Sequence, residues 1–80
     1  MDHQLHKINY KRYGELYAGA LLKNTNAMLR NLPELLDDQE FKKLRYFAQE
    51  KVLMYIKCAA KRFLVAKGYS AAGLDKIFSR

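Results

Sequence analysis

The sequence predicts an all-α fold, a helical hairpin of two long helices with a short C-terminal helix. Three observations predict it. Apolar residues recur at steps of three and four in both halves of the chain. The only proline, Pro33, falls between those halves. Gly68 followed by Ser70 supplies a stop signal and a new start. A chain of 80 residues is one domain at most, and at that size a monomer is marginal. A second copy completing a four-helix-type bundle is therefore expected.

The first helix is expected over residues 3–30. Leu5, Tyr10, Tyr13, Leu16, Tyr17, Ala20, Leu21, Ala27 and Met28 mark one face. Gly14 and Gly19 each cost about 1 kcal/mol against alanine in a helix interior, and Asn24-Thr25-Asn26 is a possible break. The apolar face keeps its phase through all of these positions, which favours one continuous helix. Pro33 then ends it, because proline lacks the N–H that continuation needs and restricts the residue before it. A connection over 31–37 follows. Asp37 and Glu40 have capping-box spacing for the next helix, and acids suit a helix N-terminus.

The second long helix is expected over 38–67. Phe41, Leu44, Ala48, Val52, Tyr55, Ile56, Ala59, Phe63 and Ala66 form its primary stripe. Phe47, Leu53, Met54, Leu64 and Val65 lie off that stripe, and two helices cannot cover them. A short third helix over 70–78, capped by Ser70, turns Leu74, Ile77 and Phe78 back onto the hairpin.

Charge is distributed very unevenly. Residues 41–67 carry eight bases against the single acid Glu50, which is the whole net charge of +7. The remaining residues cancel to zero. A helix this basic favours an anionic neighbour, and one this apolar favours protein on more than one side. Lys42, Lys43, Lys57 and Lys61 fall roughly opposite the primary stripe. Lys57 and Lys61 are one turn apart and repel by a few tenths of a kcal/mol, about the size of a like-charge helical pair. An anion laid along this face relieves that repulsion and releases counterions. Few arginines lie there, so phosphate contact without base readout is the expectation.

Catalytic chemistry finds little footing. Four of the eight acids crowd into Glu34–Glu40, where capping and solvation explain them. No carboxylate pair lies on an apolar face where burial separates pKa values. Cys58 reads as a buried structural thiol, far in sequence from the only histidines, His3 and His6. Those two are spaced for one helix face, but no further Cys or His completes a metal site. The tyrosines Tyr10, Tyr13 and Tyr17 share the face of Leu16 and Leu21, which points to core packing over base stacking. No catalytic residue, metal or cofactor is expected.

The stretch AAKRFLVAKGYSAAGLDKIF resembles the opening of the DNA-binding domain in tetracycline-repressor-type regulators. There, a helix ends at a Gly-Tyr turn and a short helix begins with a pattern like that of Leu74 and Ile77. The resemblance covers about a quarter of the chain. The DNA-reading helix comes next in that family, and the sequence stops at Arg80. The resemblance therefore implies a helix–Gly–helix corner, with no function or residue carried over.

With one cysteine, no apolar leader in MDHQLHKINYKRYG and no membrane-length apolar run, a cytoplasmic homo-oligomer is expected. The leading function is a nucleic-acid-associated accessory or regulatory factor that contacts phosphates through Lys42, Lys43, Lys57 and Lys61. The alternative is a phage- or plasmid-type interaction module docking on an acidic protein, with Leu53 and Leu64 as interface residues beside the lysines.

Overall fold

The computed structural model describes residues 7–78. They form five α-helices and a 3₁₀ turn, with no strand among the described residues. Helix α1 spans Tyr10–Lys23, α2 Pro33–Leu36, α3 Gln39–Lys42, α4 Tyr46–Ala66 and α5 Ala71–Phe78, with the 3₁₀ turn at Leu29–Asn31. The all-α expectation holds, and no helix among the described residues is long and apolar enough to cross a membrane.

The first expected helix is shorter among the described residues, running from Tyr10 to Lys23, and positions 3–6 of that expectation lie outside them. Asn9 caps α1, its side-chain oxygen accepting from Arg12 N–H at 3.1 Å. At the far end Asn24 leaves the helix in an extended conformation, and its side chain accepts from Asn26 N–H at 3.0 Å. An asparagine side chain offers the backbone this local alternative to the helical ladder. The apolar phase continues through Ala27 for another reason. Tyr17 donates its hydroxyl to the Ala27 carbonyl at 3.2 Å, which folds the chain back against α1.

The connection is longer and better structured than expected. Pro33 opens α2 at a position where its missing N–H is no loss. Asp38, and not Asp37, caps α3, with Oδ1 accepting from Glu40 N–H at 2.8 Å and Phe41 N–H at 3.2 Å. Its other oxygen takes the Tyr13 hydroxyl at 2.5 Å, tying α1 to α3. The expected helix over 38–67 breaks at Lys43–Arg45, where no glycine or proline stands. Tertiary burial decides it. The break returns Phe41 and Leu44 to the core, whereas a straight continuation of α4 carries them beyond the body. Gln49 Nε2 caps the broken end by donating to the Phe41 carbonyl at 3.0 Å.

Helix α4 has 21 residues, about 31 Å at the standard rise, and matches the molecule's longest extent of 34 Å. It stops as expected at Gly68, which sits at φ +104°. Gly68 N–H donates to Val65 C=O at 3.0 Å and Tyr69 N–H to Leu64 C=O at 3.1 Å, the paired bonds of a Schellman cap. Ser70 precedes α5 and accepts from Gly73 N–H at 3.4 Å.

Helix α1 packs chiefly against α4, with the 3₁₀ turn, α2 and α3 between them in the chain. Tyr10 meets Tyr55 edge to face at 5.7 Å, while Tyr17 lines a cavity with Leu53 and Lys57. Tyr55 and Leu53 occupy opposite flanks of α4, so residues of α1 reach towards both sides of it. Gly14 marks the closest approach, because a Cβ there would lie 2.8 Å from the Ala59 Cβ. Leu35, Val52, Ile56 and Leu64 are the largest fully enclosed side chains of the resulting core.

Candidate functional site

The four lysines singled out by charge do not form one patch. Lys42 ends α3 and Lys43 caps it, beside the first turn of α4. Lys57 lies eight residues beyond Gln49, about 12 Å further along the helix. Two of the four have carboxylate partners, Lys43 with Glu40 at 3.8 Å and Lys61 with Asp75 of α5. Glu50, the one acid among the bases, is engaged by Arg30. Lys57 is half-buried beside a cavity and has no ion pair among the described residues.

The two leucines named as interface residues are also placed differently. Leu53 is 4% exposed and Leu64 is 1% exposed within a single chain. The Ala27–Leu29 segment gathers with Leu53 and the Ile77–Phe78 end of α5 round one cavity, so this segment adds to the cover expected from the C-terminal helix. Covering Leu53 and Leu64 therefore does not require a second copy. Cys58 is a further correction, because it is exposed. His3 and His6 lie outside the described residues, and no group of three or more His, Cys, Asp or Glu is arranged for a metal among the described ones.

What faces solvent on α4 is a mixed stripe. Phe47 is 61% exposed, Met54 53% and Val65 43%. With Lys51, Cys58 and Arg62 they follow helical spacing along one face of α4, and Arg62 at its edge also lines a hollow with Lys11 and Glu15 of α1. Lys51 lies over the Phe47 ring at 5.6 Å, so its stem shields apolar surface while the ammonium stays wet. Neither Lys51 nor Arg62 has an ion pair among the described residues. No acid stands on this stripe. Sequence reasoning found Phe47, Met54 and Val65 as residues needing cover, but grouped them with Leu53 and Leu64. Splitting the off-stripe positions by angle separates them, since Leu53 and Leu64 fall on one flank and Phe47, Met54 and Val65 on the outer face.

The tyrosine face of α1 is core, as its company of leucines indicated. Tyr13 and Tyr17 are buried. Burial first, and the Asp38 carboxylate second, push the Tyr13 hydroxyl up to about 12. Burial raises Tyr17 as well, and burial followed by the neighbouring Tyr55 raises Tyr10. These phenols stay protonated in the neutral range, where they act as hydrogen-bond donors and packing groups.

A cavity of about 320 Å³ opens between the Thr25–Arg30 turn, α4 and α5. Tyr17, Leu53, Ile77 and Phe78 give it an apolar wall, and Phe78 meets Tyr17 edge to face at 6.1 Å. Arg30, Glu50 and Lys57 are the charged residues lining it. No protein-family model matches this chain, and neither a curated protein nor a solved structure matches it.

Proposed function

We propose that this is a non-catalytic binding protein whose working surface is the outer face of α4 and whose partner is an acidic protein segment. The observation that carries the reading is the stripe of Phe47, Met54 and Val65, exposed in line with Lys51 and Arg62 and free of acids. Apolar side chains gain from a partner that removes water, at about 25 cal/mol per Å². The interleaved bases select one whose flanks are negative. An amphipathic helix with carboxylates beside its apolar ridge satisfies both requirements.

Two other occupants fit less well. A second copy laid antiparallel across Met54 and Cys58 sets Lys51 against Arg62, and a parallel copy sets each base against itself. Both arrangements bring like charges together without an acid to relieve them. Nucleic acid, the leading expectation from charge, leaves Phe47, Met54 and Val65 against a polyanion with little apolar surface. It also loses the four-lysine patch, because those lysines are separated and partly paired.

The test uses an acidic amphipathic helical peptide and a DNA duplex as probes, each titrated at physiological salt. The Phe47→Ser/Met54→Ser double variant should keep its melting temperature, since surface changes of this kind stay within about 0.5 kcal/mol. It should bind the peptide about thirtyfold more weakly, as expected for loss of two exposed anchors. Duplex binding that is tighter than peptide binding and indifferent to the double variant would replace this reading with the nucleic-acid one.

A further inference from the structure

The cavity beside α5 is separate from the outer stripe of α4. Its volume, about 320 Å³, is at the lower end of small-molecule sites. The Tyr17 hydroxyl is committed to the Ala27 carbonyl, so that wall offers a ring face in place of a free donor. Among the charged lining residues, Arg30 and Glu50 pair with each other. Lys57 is left as a half-buried cation with no ion pair among the described residues, next to Leu53. Low-dielectric walls strengthen the attraction of such a cation for an anion. The hollow therefore combines an apolar wall with one uncompensated positive charge.

We propose that this cavity binds a small organic anion, one or two rings carrying a single carboxylate or sulfonate. The negative group sits against Lys57 Nζ and the rings lie on Leu53, Ile77 and Phe78. A neutral apolar molecule leaves Lys57 unanswered, and a bare inorganic anion leaves the wall wet. This site does not depend on the partner of α4, since it uses neither Phe47 nor Lys51.

Binding of 2-naphthoate to the full chain, followed by calorimetry and by methyl resonances, tests the assignment. The expected result is saturable binding with shifts at the Leu53 and Ile77 methyls. The uncharged 2-naphthalenemethanol should bind about tenfold more weakly, the size of a lost charged hydrogen bond. Lys57→Met, which keeps the stem and removes the charge, should weaken naphthoate by the same about tenfold factor. Lys51→Met and the Phe47→Ser/Met54→Ser variant should bind it normally. Absence of binding at millimolar naphthoate would overturn the site. So would equal affinity for the alcohol, or a loss in Lys51→Met matching that in Lys57→Met.

Discussion

Gly14 and Gly19 lie on the same helix and should answer substitution in opposite directions. Either glycine, replaced by alanine, gains up to about 1 kcal/mol of helix propensity. At Gly19 nothing lies within 4 Å of the added methyl, so Gly19→Ala should raise the melting temperature. At Gly14 the methyl meets Ala59 Cβ at 2.8 Å and backbone atoms of Ala59 and Ala60 at 3.0 Å. Backbone cannot swing aside, and overpacking of this kind costs about 1–3 kcal/mol. Gly14→Ala should therefore lower the melting temperature despite the better helix former. Thermal unfolding of the two variants side by side checks this, and a stabilised Gly14→Ala would remove the close approach of α1 and α4. The sequence marked both glycines only as weak points, because a helical pattern does not reveal which glycine touches another helix.

Elements were legible where a residue leaves the backbone no choice. Gly68 ends α4 where the sequence puts it, by positive φ, whereas Pro33 marks a boundary by opening α2 and not by ending the first helix, which has already stopped at Lys23. The breaks at Asn24 and at Lys43–Arg45 were not legible in the same way. The first depends on Tyr17 reaching Ala27, and the second on burying Phe41 and Leu44 against a body that the sequence does not display. What joins these pieces is the Tyr13–Asp38 bond, which links the first turn of α1 to the cap of α3. Its pH dependence follows in sign from the raised Tyr13 value. The ordinary phenol ionises near 10 and the folded one near 12, so the folded state holds this proton more tightly. The contribution is intact below pH 10 and is lost as pH climbs from 10 to 12. Tyr13→Phe should start about 1 kcal/mol less stable at pH 7 through loss of the hydrogen bond. It should also show a shallower alkaline decline than the parent, with Tyr10 and Tyr17 still contributing to both. Denaturant midpoints measured at pH 8, 10 and 11.5 give the comparison, and parallel declines would discard the coupling.

At the scale of the whole molecule, a chain of net charge +7 has three ion pairs among its described residues, all at the surface. Exposed pairs contribute about 0–1 kcal/mol each, so self-repulsion among the remaining bases outweighs them. Added sodium chloride should therefore stabilise the fold, raising the melting temperature by about 3 °C between 20 mM and 500 mM as the screening length shortens. A melting temperature that falls with salt would mean that the surface pairs matter more than repulsion does. The same distribution explains how much of the site could be read in advance. Charge counting singled out residues 41–67, but folding divides them: α4 keeps Lys51, Lys57, Lys61 and Arg62 with Glu50, Lys42 falls in α3, and Lys43, Arg45 and Lys67 stand at helix caps. It could not say which lysines share a face, since that depends on the break after Lys42 and on Asp75 arriving from α5. Nor could it tell Leu53 from Met54, neighbours in sequence that end up on opposite sides of the boundary between core and water. Cys58, the only sulfhydryl, stands in the open midway along the outer face of α4. A single maleimide dye will therefore attach at one defined place, and the unaltered chain comes with its own built-in reporter for whatever settles on that helix.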